Sequence, residues 1–199
     1  MADVSTTAYW VSPHFASSDF GENPTTEQMV ILFVDGVWGW QLDQAERLMQ
    51  ASPHAGLAAL SVLVSYFEMI EQYREGIVGA RGKSRRLFRD GVRWVLGGAV
   101  PKEGADQMAQ RLYDAVRNGL YHDALVREGV VLSGELGSGV VMQTRTSPGG
   151  DTELAINPSE LVRVLQRHFA KYVVSLLDPG NVELRDAFVR RFRKGAPGN

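Results

Sequence analysis

Apolar residues recur at helical spacing along most of this 199-residue chain, and the pattern changes once, over residues 129–156. That segment holds short β-prone runs separated by glycine and proline turn signals, which favours two or three antiparallel strands. The order of these segments predicts a mainly α fold. We expect an up-and-down bundle of about five to six helices with a small antiparallel β-meander inserted after the fourth helix.

Two parts of unequal size are expected. Residues 1–24 show no stable period, so we predict an extended N-terminal arm, held by Trp10, Phe15 and Phe20. Residues 25–199 are predicted to form one helical domain with a β insertion at about 129–156, since a chain of this length buries one sizeable core. The sequence has no cysteine and no apolar run of the ~18 residues that span a bilayer. A soluble, cytoplasmic protein with no membrane partner is therefore expected.

Capping residues mark the predicted helix starts. The second helix is predicted to run unbroken to Arg74, and Asp35-Gly36 makes the middle of the first helix a point of bending. The predicted starts are Thr25, Ser52-Pro53, Ser84, Pro101 and Asn157-Pro158, and a final short helix follows Asn181.

Charge is divided unevenly along the chain. Residues 1–80 carry ten acidic side chains against two basic ones, while residues 81–199 carry nineteen basic against thirteen acidic. Such a division indicates either an anionic ligand or two halves that attract each other. One basic run consists of Arg81, Lys83, Arg85, Arg86, Arg89 and Arg93, and a second lies between Arg185 and Lys194.

Two glycine-rich segments and the histidines point to no ligand. Residues 79–84 end in Gly-Lys-Ser, but Ile77 stands where a phosphate-binding loop needs glycine, and a helix is predicted in front of them. Residues 134–139 lie between predicted strands, without the following helix that a dinucleotide loop needs. The spacing of the four histidines is not that of a zinc site, so we expect no metal and no cofactor.

The segment from Arg117 to His122 carries the strongest chemical signal. Residues 107–116 read as a helix, and Asn118-Gly119 is predicted to end it, with His122 just beyond on the returning chain. A permanent cation beside a side chain that titrates near neutral pH suits a phosphodiester. The simpler alternative is that Arg117 caps the helix while His122 packs against a neighbour.

In this helical context the motif, read as Arg-Asn-Gly-Leu-Tyr-His over residues 117–122, resembles that of the HEPN superfamily, as do the flanking residues 112–116 and 123–125. The segment Ser65-Tyr66-Phe67-Glu68-Met69-Ile70 is also similar to that superfamily. The resemblance implies a metal-independent endoribonuclease, often of a toxin or defence type, that works as a homodimer with two motifs facing one another. A separate antitoxin or regulatory partner would accompany a toxin.

The resemblance gives each motif residue a role. Cleavage of RNA through its own 2′-OH needs a base, an acid and positive charge on the phosphorane. Two copies of His122 would supply the base and the acid, two copies of Arg117 would hold phosphate oxygens, and Asn118 would orient a side chain or a phosphate. Flanking RNA-binding residues are predicted from the first basic run: Arg81, Lys83, Arg85, Arg86 and Arg89.

Two other classes of function stay open. One is a non-catalytic HEPN-like module that binds nucleotide or RNA, or serves as an interaction subunit. It differs from the enzyme in that Arg117 or His122 would be buried or covered by the arm. The other is a helical scaffold whose Trp38, Trp40 and Trp94 form a protein-binding face.

Overall fold

A computed structural model describes residues 10–21, 23–98, 104–136 and 139–195, and confirms a mainly helical fold with a small β insertion. Two π-helical turns, Trp38–Leu42 and Leu112–Arg117, lie within otherwise α-helical segments. The helices are α1 (Thr26–Val37), α2 (Asp43–Ala51), α3 (Gly56–Leu63), α4 (Ser65–Glu75), α5 (Ser84–Leu96), α6 (Ala105–Arg111), α7 (Asn118–His122), α8 (Pro158–Leu177) and α9 (Val182–Gly195). Pro101, the predicted start of the fourth helix, lies outside the described residues.

Two predicted helix starts are confirmed by their hydrogen bonds. Thr25 Oγ1 accepts from the Gln28 backbone N–H at 3.2 Å, and Gln28 Oε1 accepts in return from the Thr25 N–H at 2.8 Å. Asn157 Oδ1 accepts from the Glu160 N–H at 3.2 Å, with Pro158 at the first helical position. In both cases the side chain satisfies a donor that the first turn leaves free.

The second predicted helix is wrong as a single unit. Ser52 ends α2 in an extended conformation, the next helix begins only at Gly56, and the run to Glu75 is interrupted at Val64. The Gln41 amide donates to the Val62 carbonyl at 2.8 Å beside that interruption. A side chain inserted into the helical hydrogen-bond ladder is a known cause of a kink, and the sequence spacing gives no sign of it.

The sheet is mixed, so the prediction of an antiparallel meander is wrong for its first strand. Strands β1 (Val130–Leu132), β2 (Met142–Thr146) and β3 (Thr152–Ile156) lie in the order β1-β3-β2. The β2–β3 pair is an antiparallel hairpin, but β1 pairs with β3 in parallel. The most buried strand takes the centre, while β2, exposed over Gln143–Thr146, is an edge.

An aromatic cluster fixes α4 against the last helix. The Phe33 ring centroid lies 4.4 Å from that of Tyr73 on α4 and 5.3 Å from that of Phe188 on α9. Phe169 on α8 completes the cluster at 5.4 Å from Phe33. Because Phe33 and Phe188 are almost entirely buried, this packing determines how α4 and α9 face each other. Within the described ranges, no helix combines the length and the apolar character needed to cross a bilayer.

The described part of the N-terminal arm is folded back rather than extended. The Val11 N–H donates to the Phe15 carbonyl at 2.9 Å, and Trp10 forms an isolated antiparallel bridge with Ala16. His14 attaches the arm to α1, with its backbone N–H 2.9 Å and its Nδ1 2.7 Å from the Asp35 carboxylate. Trp10 itself is exposed, so the arm is held by a polar contact that the sequence prediction did not include.

Candidate functional site

The helix that carries the motif continues through Asn118-Gly119, so the predicted helix stop is wrong. His122 lies in the last turn of α7, and the chain reverses after it, at Ala124, whose φ is +55°. Gly119 is needed for space and not for a left-handed turn. A Cβ there would lie 2.5 Å from the Leu125 carbonyl oxygen, on the segment that returns beneath the helix.

A π-helical turn directly precedes the motif. The Asn118 N–H donates to the Tyr113 carbonyl, five residues earlier, instead of to a carbonyl four residues earlier. The additional residue in this turn keeps Leu112 and Val116 in the core and leaves Arg117 half-buried. Single π turns inside helices occur often at functional sites.

Arg117 is held in a defined orientation. Its Nη2 lies 3.2 Å from Ser84 Oγ and 3.5 Å from Glu68 Oε2, and its Nη1 lies 3.4 Å from Asn118 Oδ1. The guanidinium also lies over two rings, 5.6 Å from the Tyr113 centroid and 5.1 Å from that of Tyr121. These contacts are individually weak, but together they restrict the side chain to one region.

Ser84 joins α4, α5 and the motif, and does not cap α5 as predicted. Its hydroxyl donates to Glu68 Oε2 at 2.7 Å, while the N-cap position belongs to Lys83, which has no capping side-chain bond. The Ser84 hydroxyl donates to the Glu68 carboxylate and accepts from Arg117 Nη2 at 3.2 Å, so it bonds α4 and the motif instead of the first turn of α5. The first turn of α5 therefore lies directly beside Arg117.

Arg117 opens onto a cleft of about 210 Å³ between α4, α7 and α9. Among the described residues, the lining does not include His122 or Asn118. His122 is exposed, and within the described part of the chain its ring has no hydrogen-bond partner. One copy of the chain therefore does not place the histidine in the arginine cleft. The cleft is lined by Val64, Ser65, Glu68, Met69, Gln72, Arg117, Tyr121 and Arg191.

The five predicted RNA-binding residues differ in their surroundings. Arg81 and Lys83 are exposed, and their side chains contact no partner in the described ranges. Arg85 is exposed but lies 3.3 Å from Asp114 and over the Tyr113 ring. The other two are less available: the guanidinium of Arg86 pairs with Glu75 at 2.8 Å and Asp90 at 3.1 Å, and the Nε of Arg89 is buried.

Ion pairs connect the acidic half of the sequence to the basic half. Arg185 pairs with Glu27 at 2.8 Å, Arg86 with Glu75, and Arg117 with Glu68. The hydrogen bond from Arg86 lowers the pKa of Glu75, so that carboxylate stays ionised. Part of the opposite charge on the two halves of the sequence is therefore used in ion pairs within the protein. Arg81 and Lys83, which have no partner among the described residues, remain candidates for binding an external anion.

The carboxylates of Glu71, Glu75 and Asp90 approach within 4.8 Å of one another, close enough for a cation. Arg74 and Arg86 already lie among them and pair with them. Burial raises the pKa of Glu71, which has no exposed surface. These contacts assign the cluster to an internal salt-bridge network that joins α4 to α5.

His168 is a structural residue, as expected for a lone histidine on a helix. Its Nδ1 lies 2.8 Å from the Tyr66 hydroxyl oxygen, and the Trp94 ring centroid is 4.5 Å from its own. Burial, with a smaller contribution from Lys171, lowers the pKa of His168 to about 4. Trp94 is packed into this cluster and over Arg74, while Trp38 and Trp40 lie exposed on the first π turn.

Sequence reasoning missed three side chains of the cleft. Glu68 is named in the sequence analysis only as part of the segment 65–70 that is similar to the HEPN superfamily. Gln72 and Arg191 are not predicted there as site residues. A signal was present, because Ser65, Glu68 and Gln72 recur at spacings of three and four residues, which places them on one face of a predicted helix. A polar stripe at helical spacing inside a bundle indicates a lined cleft. Arg191 had no such signal, since its position depends on how α9 packs.

Comparison of this chain with protein-family models, with curated proteins and with solved structures found no match.

Proposed function

We propose that this protein is a metal-independent endoribonuclease of HEPN type, whose reaction site combines Arg117 and His122 from two copies of the chain. One observation supports it above the others. The two segments that resemble the superfamily, residues 65–70 and 112–125, lie far apart in sequence and meet where Glu68 contacts Arg117. A resemblance carried by two unconnected segments gains weight when those segments build one cleft.

The geometry suits a division of labour. Arg117 is oriented by Glu68, Ser84 and the two tyrosine rings, so its guanidinium group already has a defined position before a phosphate binds. Such preorganised positive charge stabilises the charge that develops on a phosphorane. His122 is exposed and unpaired within the described residues, as a group that exchanges protons with substrate must be. Asn118 contacts Arg117 and is assigned the role of orienting it.

The separation of His122 from the cleft requires the second copy. Tyr121 and Leu125, 57% and 62% exposed, flank His122 and offer apolar surface for an interface. Leu125→Glu is expected to convert a dimer to a monomer and abolish cleavage. Leu177→Glu, at a leucine that is 54% exposed on α8, is the matched control. Sedimentation of both variants would decide this, and a monomeric wild type that cleaves RNA would contradict the composite site.

The function itself is tested by RNA cleavage in excess EDTA, comparing the wild type with His122→Ala. Products ending in 2′,3′-cyclic phosphate, absent in His122→Ala, are expected. His54→Ala is the control, since His54 is also an exposed histidine but lies outside the motif. Equal cleavage by wild type and His122→Ala would indicate contamination and overturn the proposal.

A non-catalytic module that binds nucleotide or RNA is the second candidate. It is favoured by the pairing of Arg117 with Glu68 and by the absence of His122 from the cleft lining within the described residues. The arm does not cover Arg117 in the described ranges, since its α1 contact is to Asp35. RNA binding by the wild type without cleavage, in a folded dimer, would select this module.

Both candidate functions, the ribonuclease and the binding module, imply the same class of ligand and the same compartment. RNA or a nucleotide is the proposed ligand, and the cytoplasm is the proposed compartment because cellular RNA is abundant there. For a ribonuclease of toxin type, an antitoxin or other regulatory partner is part of the proposal. Co-expression of that partner should relieve the growth arrest that the wild type causes. Expression of His122→Ala without the partner should cause no arrest, and these two results together would support the proposal.

A further inference from the structure

We propose that Arg191 is a second phosphate-binding residue, and that the cleft holds one phosphate group of a nucleotide or RNA chain between Arg117 and Arg191. This inference rests on the proposed function for the identity of the phosphate. The position of Arg191 does not depend on it. Arg191 lies on α9, outside the motif and outside both segments that carry the resemblance.

Side chains on one face of α4 hold both guanidinium groups. Glu68 lies 3.5 Å from Arg117, and Gln72 Oε1 accepts from Arg191 Nε at 3.0 Å. Glu68 and Gln72 are four residues apart on a helix, which separates their backbone positions by about 6 Å along the axis. Both guanidinium groups therefore belong to residues that line the same cleft of about 210 Å³.

The terminal nitrogens of Arg191 are available. Its Nε is bound to Gln72 and its guanidinium lies 5.2 Å from the Tyr73 ring centroid, so the side chain is oriented. Within the described residues, its Nη1 and Nη2 have no hydrogen-bond partner. An oriented fork with two free donors is the geometry that binds phosphate oxygens bidentately.

The charge of the cleft favours an anion. Arg117 and Arg191 face a single acidic residue of the lining, Glu68, which leaves an excess of positive charge. The Tyr121 ring at the edge of the cleft lies 5.1 Å from the Arg117 guanidinium and helps to hold that cation in the cleft. A cleft of about 210 Å³ has room for a phosphate group and its first substituents.

Neighbouring arginines on α9 serve the fold instead. Arg190 donates to the Gly76 carbonyl at 3.1 Å and to that of Glu75 at 3.3 Å, where α4 ends. Arg185 donates to the Leu176 carbonyl and pairs with Glu27. Arg191 differs from both because its terminal donors point to no backbone group of the described chain. Lys194 on the same helix is exposed and outside the cleft lining, and serves as a control.

The test is binding, not cleavage. Fluorescence anisotropy would measure the affinity of a 2′-O-methyl RNA pentamer, which cannot be cleaved through its 2′ position, for the wild type, Arg191→Gln, Arg191→Lys and Lys194→Gln. We expect Arg191→Gln to weaken binding about tenfold. The slope of the logarithm of the binding constant against the logarithm of the salt concentration should become smaller in magnitude by about one. Arg191→Lys should fall between it and the wild type, and Lys194→Gln should stay within about twofold of the wild type.

Competition identifies the source of the phosphate. Adenosine 5′-monophosphate that displaces the pentamer, where adenosine does not, indicates a nucleotide phosphate. Displacement by inorganic phosphate alone indicates a simple anion site, and neither result depends on catalysis. Equal affinities of folded Arg191→Gln and Lys194→Gln would overturn the inference even if the wild type cleaves RNA. Conversely, a wild type that binds but never cleaves would refute the ribonuclease and leave the two-arginine site standing.

Discussion

The backbone of Gly91 on α5 lies directly against the carbonyl group of Phe67 on α4. A Cβ at position 91 would overlap the Phe67 carbonyl oxygen and stand 2.8 Å from its carbonyl carbon. Backbone atoms cannot rotate away as a flexible side chain can. The close approach of α4 and α5 therefore depends on glycine, and it is the same approach that places Ser84 beside Glu68.

Gly91→Ala should destabilise the protein, although alanine is the better helix former by about 1 kcal/mol. The clash with Phe67 should dominate, because forcing atoms into a packed contact costs about 1–3 kcal/mol. Urea unfolding followed by circular dichroism would measure the difference. Gly36→Ala is the matched control: it lies on α1, where the nearest atom to a new Cβ is 3.9 Å away, and should be neutral or stabilising. Stabilisation by Gly91→Ala would contradict the packing described.

Gly119→Ala should disturb the segment that follows the motif. The new Cβ would meet the Leu125 carbonyl oxygen at 2.5 Å and Arg127 Cγ at 3.2 Å. We expect faster amide hydrogen exchange at Arg127, whose N–H donates to the Ala115 carbonyl at 2.9 Å, and a loss of stability of about 1–3 kcal/mol. Unchanged exchange at Arg127 in the folded variant would show that the helix and the return segment have room to separate.

Stability should fall as pH decreases from about 6.5 towards 4, with His168 as a principal cause. Its pKa is about 4 in the folded protein against an ordinary value of 6.5, so in that window the unfolded chain binds a proton that the folded chain does not. The stabilisation is present above pH 6.5 and lost as pH falls to about 4. Allowing for partial exposure of the ring, we expect a loss on the order of 2 kcal/mol.

Thermal unfolding across that pH range would measure this effect. His168→Gln should remove most of the slope, since no proton is then taken up at this position. His54→Gln, which changes an exposed histidine, should keep the slope of the wild type. Equal slopes in wild type and His168→Gln would place the pH dependence elsewhere.

Arg117→Lys should preserve the fold and impair function. Lysine keeps the positive charge, but it cannot span Ser84, Glu68 and the two tyrosine rings with a planar fork. We expect cleavage to fall by about 10- to 100-fold, with unfolding free energy changed by less than about 1 kcal/mol. Single-turnover cleavage beside chemical denaturation separates the two effects. Full activity of the lysine variant would reduce the role of Arg117 to its charge.

Glu68→Gln should raise the affinity for RNA. Glutamine can still accept from the Ser84 hydroxyl, but the carboxylate no longer competes with phosphate for Arg117. The expected gain is about three- to tenfold at low salt and smaller at high salt, because the cleft loses one negative charge. Anisotropy with the same pentamer at two salt concentrations would measure it, and weaker binding would mean that Glu68 is needed to orient Arg117.

Local signals in the sequence were sufficient for the mainly helical class and for the existence of the β insertion, but not for the break between α3 and α4. The capping residues Thr25 and Asn157 act within one turn of their own position, so their effect can be predicted without tertiary structure. The order of the strands could not be predicted in this way, because β1 pairs with β3 through the packing of the whole insertion. The helix that leads to Arg117 was predicted, but its stop at Asn118-Gly119 was wrong, since the space that Gly119 provides is occupied by a later segment.

The same difference between local signals and long-range packing applies to the residues that line the cleft. Arg117 was predicted because a short motif identifies it. Arg191 became visible only through the aromatic cluster that sets α9 against α4. The Gln41 contact beside the break between α3 and α4 is likewise a long-range effect, joining the Gln41 side chain to the backbone carbonyl of Val62, 21 residues later. The structure is needed to identify residues whose position depends on packing between elements that are distant in sequence.

Docking of the last helix has a consequence for the order of events in synthesis. Arg191 closes one wall of the cleft, and its helix packs directly against α4, where the Phe188 ring centroid lies 5.5 Å from that of Tyr73. Before residue 191 is made, Arg117 is the one guanidinium among the described lining residues of the cleft. If the two-arginine site proposed above binds phosphate, a growing chain is expected to gain full affinity only after α9 has been made and has packed against α4.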